Sequence, residues 1–171
     1  MHPTAQHAME KFAAMLPGGP LKIVDVGSYD VNGTFKPIFA RPGIEYVGLD
    51  IRSGPNVDVV IADDFKWPNI SSESFDAVIS GSTLEHTKLP WLFVLECARI
   101  LKRGGLICIN APYHWGFHEH PIDCWRVYPD GMKAVMEWAG LTVIEVWKDQ
   151  CYREEYPEQG LGDTTGIARK P

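Results

Sequence analysis

The stretch that decides the fold is VDVGSYDVNGTF, residues 24–35. Leu21, Ile23, Val24 and Val26 make the apolar run of a buried strand, yet an acid, Asp25, sits inside it, and the chain then enters a loop holding Gly27 and Gly33. In an open α/β sheet the ligand lies beyond the carboxyl end of the first strand, on such a loop. A dinucleotide site would show GxGxxG here, but residues 27–29 read Gly-Ser-Tyr, so that fingerprint fails. No GK[ST] triplet occurs in the chain, which removes a P-loop. Asp25 would repel a phosphate and suits a ligand with positive charge, an ammonium or a sulfonium.

The rest of the chain fits the same plan. PTAQHAMEKFAAML has helical spacing and stops at PGGP, which makes residues 1–20 an N-terminal helix with its breakers. EYVGLDI (45–51), VDVVIADDF (57–65), FDAVISG (75–81), LICINAP (106–112) and LTVIEVW (141–147) read as further strands, and TGIARK (165–170) as a short last one after an irregular tail. Near-continuous apolar runs suit strands covered on both faces of a parallel sheet. In LPWLFVLECARILKRGG, Trp91, Val94, Leu95, Ala98 and Leu101 mark a helix ended by Gly104 and Gly105, and PDGMKAVMEWAG (129–140) marks another. The expectation is one domain over 1–171, a doubly wound, mostly parallel Rossmann-like α/β sheet. The connections around the third strand are short for crossovers, which leaves either trimmed crossovers or a weak third strand.

Composition bounds the function. With 171 residues, 45% apolar, 22% charged and a net charge of −6, the chain lacks the basic footprint of a nucleic-acid binder. No apolar run approaches the ~20 residues of a membrane span. The four cysteines form no CxxC pair, and Cys97 and Cys108 sit in apolar runs as buried free thiols. A cytoplasmic location is expected.

Further acids end the next strands. Asp50, followed by Ile51, lies 23 residues after Gly27, where a carboxylate can accept both ribose hydroxyls. Asp63, Asp64 and Phe65 end the third strand, where an acid can take an adenine amino group and a ring can cover the base. Three acids in that order describe a cationic adenosine ligand, S-adenosylmethionine. Taken together, VDVGSYDVNG, YVGLDI, IADDF, FDAVISGSTLEH and ARILKRGGLICINAP resemble, in order, the motifs of class I S-adenosylmethionine-dependent methyltransferases, most closely bacterial methyltransferase-11-type domains. The resemblance spans Leu21 to Trp147 and implies an enzyme with that cofactor. It implies that Asp25, Gly27, Ser28 and Tyr29 meet the methionine end, Asp50 and Ile51 the ribose, Asp64 with Phe65 and neighbouring Asp63 the adenine, and that Ser80 and Gly81 line the pocket floor. Tyr29 departs from the family's usual second glycine, and Arg103 stands where proline is common.

Methyl transfer to a hydroxyl needs a base, and candidates crowd into residues 110–131, a loop on the substrate side of the sheet. His114 and His118, with His86 in the SxxxEH turn, are the candidate catalytic residues; His120, Asp123, Trp125 and Arg126 are candidate substrate contacts. Asp123 and Arg126 also read as an ion pair that stiffens the loop. A metal site of His118 and His120 with Glu119 or Asp123 lacks a third ligand fixed by spacing, so no metal is expected. The reading is O-methylation of a small-molecule or sugar-like acceptor, without nucleic acid or membrane. A homodimer could close the pocket. The alternative is a cofactor-binding or protein-interaction module without catalysis of its own.

Overall fold

A computed structural model describes residues 3–151 and 161–171, Cys151 by its backbone only. The strand that begins the argument, β1 (Leu21–Val26), is central: Ile23 and Val24 are fully buried, and it pairs in parallel with β2 (Ile44–Asp50) on one side and β4 (Phe75–Gly81) on the other. Two-residue β3 (Val59–Val60) edges β2, and β5 (Leu101–His114) extends the parallel set beyond β4. The last two strands, β6 (Thr142–Cys151) and β7 (Leu161–Arg169), are antiparallel to each other, and β7 slots in antiparallel beside β5. The sheet order is β3-β2-β1-β4-β5-β7-β6, one mixed, mostly parallel α/β sheet as the sequence predicts.

Among the described residues, three α-helices cover the sheet. On α1 (Pro3–Met15), Ala8, Met9 and Phe12 are fully buried against Ile23, Ile79 and Ile167. The opposite layer comes from α2 (Pro90–Ile100) and α3 (Pro129–Trp138), whose Phe93, Val94, Cys97, Met132 and Met136 join Val24, Val78 and Ile107. Each such side chain contributes about 1.5–3 kcal/mol by leaving water.

The structure corrects four boundaries. The third strand shrinks from nine residues to two: Asp58 Oδ2, rather than a backbone carbonyl, accepts the Gly48 N–H of β2 (2.8 Å), and Asp63 Oδ1 accepts the Phe65 N–H (2.9 Å), which turns the chain away from the sheet. Trimmed crossovers hold as well: among the described residues no helix lies between β2 and β3 or between β3 and β4. Helix α2 ends at Ile100, not at the glycines, because Leu101 turns extended and pairs with Phe75, so Leu101–Gly105 joins β5. The buried stripe of α2 is Pro90, Phe93, Val94, Cys97, Ala98 and Ile100, whereas Trp91 and Leu95 of the predicted face are exposed. The last strand is nine residues rather than six, and β6 runs on to Cys151; the middle of the tail predicted as irregular lies outside the described residues.

Candidate functional site

A cavity of about 730 Å³ opens at the carboxyl ends of β1, β2 and β4. Its floor is made by the turn after β1. Gly27 takes φ +82°, and a Cβ there would lie 2.0 Å from Thr83 Oγ1, so only glycine lets the β1 and β4 loops close on each other. The Gly27 and Ser28 amides both donate to Leu49 O, which pins this turn to the end of β2.

Asp25 is 2% exposed. Its Oδ2 accepts the Tyr46 hydroxyl at 2.6 Å, while Oδ1 has no hydrogen-bond partner among the described residues. Burial pushes its pKa up to about 7, the Tyr46 bond offsets part of that, and the charge of Asp50 adds to it. A buried acid with an unused oxygen beside a cavity is short of a cation. Asp50 is held by two amides, Tyr29 N–H on Oδ2 and Arg52 N–H on Oδ1, both at 3.0 Å, which aim its carboxylate along the cavity wall and leave further lone pairs open. Tyr29, where the family has glycine, lays its ring under the Arg52 guanidinium (4.6 Å) and against Gly54.

The other end of the cavity is lined by Glu85, His86, His118 and His120. Glu85 is fully buried, and neither carboxylate oxygen accepts a well-formed hydrogen bond from a described residue. Burial raises its pKa to about 8; its own amide and Arg126 lower it, while Asp163 and Asp123 raise it. His86 Nδ1 sits 2.6 Å from Ile122 O, and burial holds this imidazole below the usual histidine range. Its Nε2 lies 3.7 Å from Glu85 Oε1, and His118 Nε2 lies 3.9 Å from the same oxygen.

Of the predicted cofactor residues, Asp25, Gly27, Ser28, Tyr29, Asp50, Ile51, Asp63, Asp64 and Gly81 line this cavity. Phe65 does not, because the turn closed by Asp63 carries it past the wall; Ile61, Ala62 and Phe93 supply apolar surface there instead. Ser80 does not either: it is fully buried and its hydroxyl donates to Val26 O at 2.8 Å, a cross-strand bond. On the substrate side, His86, His118 and His120 come together, with ring centroids 4.9–6.1 Å apart. His114 stands exposed at the end of β5 and outside the wall.

Asp123, Trp125 and Arg126 also lie outside it and form a brace. Arg126 grips both Asp123 oxygens (2.6 and 2.8 Å) and the Trp115 and Gly116 carbonyls, and its bond holds the Asp123 pKa down at about 2. Trp125 Nε1 donates to Thr87 O, tying the loop to the β4–α2 turn. The sequence reading missed Glu85, whose only signal was its place beside His86, and Asp163 of β7, which has no local signal and reaches the cavity through the antiparallel insertion of its strand.

These residues fit S-adenosylmethionine on grounds of the structure itself: an orphaned buried carboxylate oxygen for a cation, a glycine turn with no room for a side chain, and an amide-held carboxylate one strand away.

Comparison with known proteins agrees. The family described as "Methyltransferase domain" matches residues 24–109. The chain is 27% identical over 112 residues to the 2-methyl-6-phytyl-1,4-hydroquinone methyltransferase 1 of Oryza sativa subsp. japonica, covering 63% of this chain and 31% of that protein. It is 32% identical over 103 residues to an uncharacterized methyltransferase of a Mycobacterium species (strain JLS), covering 55% and 39%. The chain thus spans about a third of the length of the curated relatives it matches. A solved SAM-dependent methyltransferase from Archaeoglobus fulgidus superposes with a TM-score of 0.71 at 18% identity over 98% of this chain and 93% of that one, a likeness of fold. Among the described residues, no helix is long and apolar enough to cross a membrane.

Proposed function

The chain belongs to the methyltransferase-domain family of class I S-adenosylmethionine-dependent enzymes, and from that premise we propose that it methylates a hydroxyl of a small-molecule or sugar-like acceptor. The observation that supports this is the polarity of a single cavity. Asp25 and Asp50 stand at one end, and Glu85, His86 and His118 at the other.

Bound S-adenosylmethionine would supply a methyl group made electrophilic by the sulfonium. Asp25 gives that end of the cavity its negative charge, which is worth far more inside a buried site than in water. Asp50 would take the ribose hydroxyls, and Asp64 with Ile61, Ala62 and Phe93 would border the base. Catalysis then rests on positioning and on keeping water out, the two contributions a displacement at a preactivated carbon still needs. The acceptor hydroxyl would enter at the end of the cavity that Glu85, His86 and His118 line. Arg126 and Asp123 hold the loop that presents His118.

The test is incubation with methyl-labelled S-adenosylmethionine and a matched panel of phenols, polyols and the corresponding amines, read by mass spectrometry. Labelled O-methyl products are expected. Transfer to the amines alone would overturn the hydroxyl assignment.

A further inference from the structure

Three groups able to bind a metal converge at the far end of the cavity. The Nδ1 atoms of His86 and His118 face backbone carbonyls, Ile122 O at 2.6 Å and Gly116 O at 3.0 Å. A carbonyl only accepts, so each Nδ1 carries its ring's hydrogen and each Nε2 presents a lone pair. Both Nε2 atoms lie near Glu85 Oε1, at 3.7 and 3.9 Å, and among the described residues neither oxygen of the fully buried Glu85 has a hydrogen-bond partner. A metal ion placed among these three groups would satisfy all of them at once.

We propose that Glu85, His86 and His118 form a binding site for one divalent transition-metal ion, with its open coordination positions facing the acceptor end of the cavity. The ligand atoms lie within 4.8 Å of one another. Bonds of ~2.0–2.2 Å to one ion place neighbouring ligands roughly 3.0–3.4 Å apart, so the most widely separated pair closes in by about 1.5 Å or less, a side-chain adjustment. The outer contacts already have the form that metal-binding histidines use, Nδ1–H to a carbonyl. The Gly116 carbonyl is itself fixed by Arg126 Nη2 at 2.8 Å, and the His118 amide donates to Asp123 Oδ2 at 2.8 Å. Two imidazoles and one carboxylate select Zn²⁺, Fe²⁺, Co²⁺ or Mn²⁺ rather than Mg²⁺ or Ca²⁺, which prefer all-oxygen sets.

The use of such an ion rests on the methyl-transfer reading; its binding does not. An ion with two open positions suits an acceptor with adjacent oxygens, a catechol or an α-hydroxycarbonyl, which it would chelate. It undergoes no redox change. It holds the reacting oxygen as the oxyanion, the displaced hydroxyl proton leaves to water, and that oxygen's electron pair forms the bond to the methyl carbon as the carbon–sulfur bond breaks with its pair on sulfur.

The test strips the purified full chain with a chelator and titrates it with Co²⁺ alone, reading the visible bands of an imidazole-bound ion, with Zn²⁺ as competitor. One equivalent is expected, with affinity falling by more than about a hundredfold in Glu85→Gln and in His118→Gln, beyond the 10–100-fold typical of changes outside the ligand set. Unchanged S-adenosylmethionine binding in both variants shows that they fold. Absence of Co²⁺ bands, or bands that survive both substitutions, overturns the site. Cobalt binding without any S-adenosylmethionine binding would leave the metal site standing and remove the methyl-transfer reading instead.

Discussion

Replacing Asp25 with Asn tests whether this protein sacrifices stability for its cofactor. The carboxyl titrates at about 7 in the folded chain against the usual 3.8, because it is buried. A folded-state pKa raised in this way makes the native state hold a proton that the unfolded state releases. Stability is therefore lost as pH rises from about 4 to about 7, at about 1.4 kcal/mol per pH unit. The accumulated loss is about 1.5 kcal/mol at pH 5 and about 4 kcal/mol at pH 8. Asn keeps the acceptor for the Tyr46 hydroxyl and cannot ionise. Urea unfolding of Asp25→Asn and the parent chain should thus diverge with pH, the variant gaining about 2–3 kcal/mol on the parent between pH 5 and pH 8. The Glu85 contribution is common to both chains and cancels. The same variant should bind S-adenosylmethionine about 2–3 kcal/mol more weakly, roughly 30- to 150-fold, for want of the buried charge at that end of the cavity. A stability difference that does not change with pH would refute the assignment of a buried, reluctantly ionised acid.

Three other substitutions separate the parts of the site. Tyr46→Phe removes the bond that favours the charged form of Asp25, so the pKa climbs further; calorimetry should show weaker S-adenosylmethionine binding at pH 7 and a smaller deficit at pH 9. Gly27→Ala puts a methyl group 2.0 Å from Thr83 Oγ1 at φ +82°, and should cost about 1–3 kcal/mol in thermal unfolding as well as cofactor binding. Arg126→Ala breaks the brace on Asp123, whose side chain is only 2% exposed, and should destabilise the chain by about 2–3 kcal/mol. It should also lower kcat/KM for the acceptor in methyl-transfer assays while leaving the S-adenosylmethionine affinity unchanged.

The half of the site nearest the first strand is legible because its residues follow strand ends in chain order. Asp25 lies near the end of one apolar run, Asp50 at the end of the next and Asp64 just past a third, and the parallel sheet brings those ends to one rim. Phe65 and Ser80 escaped a correct placement because a side chain's direction depends on a single turn or a single cross-strand bond, Asp63 on the Phe65 amide and Ser80 on Val26 O. Glu85 was hidden for a different reason. An acid beside a histidine on a turn is ordinary in sequence, and its burial is created by residues 115–127 folding back, where Cys124 and Trp125 donate to its carbonyl. Trp91 and Leu95 show the limit of periodicity: spacing located the helix but chose a face rotated from the true one, since Trp91 packs on Trp125 of the distant loop rather than in the core.

The most direct measurement is calorimetric titration of the full chain with S-adenosylmethionine, beside its Asp50→Ala variant. One site per chain at micromolar affinity is expected, weakened by about 1–3 kcal/mol in the variant, which lacks the carboxylate that would take the ribose hydroxyls. Heat identical for the two proteins, or none for either, would contradict it.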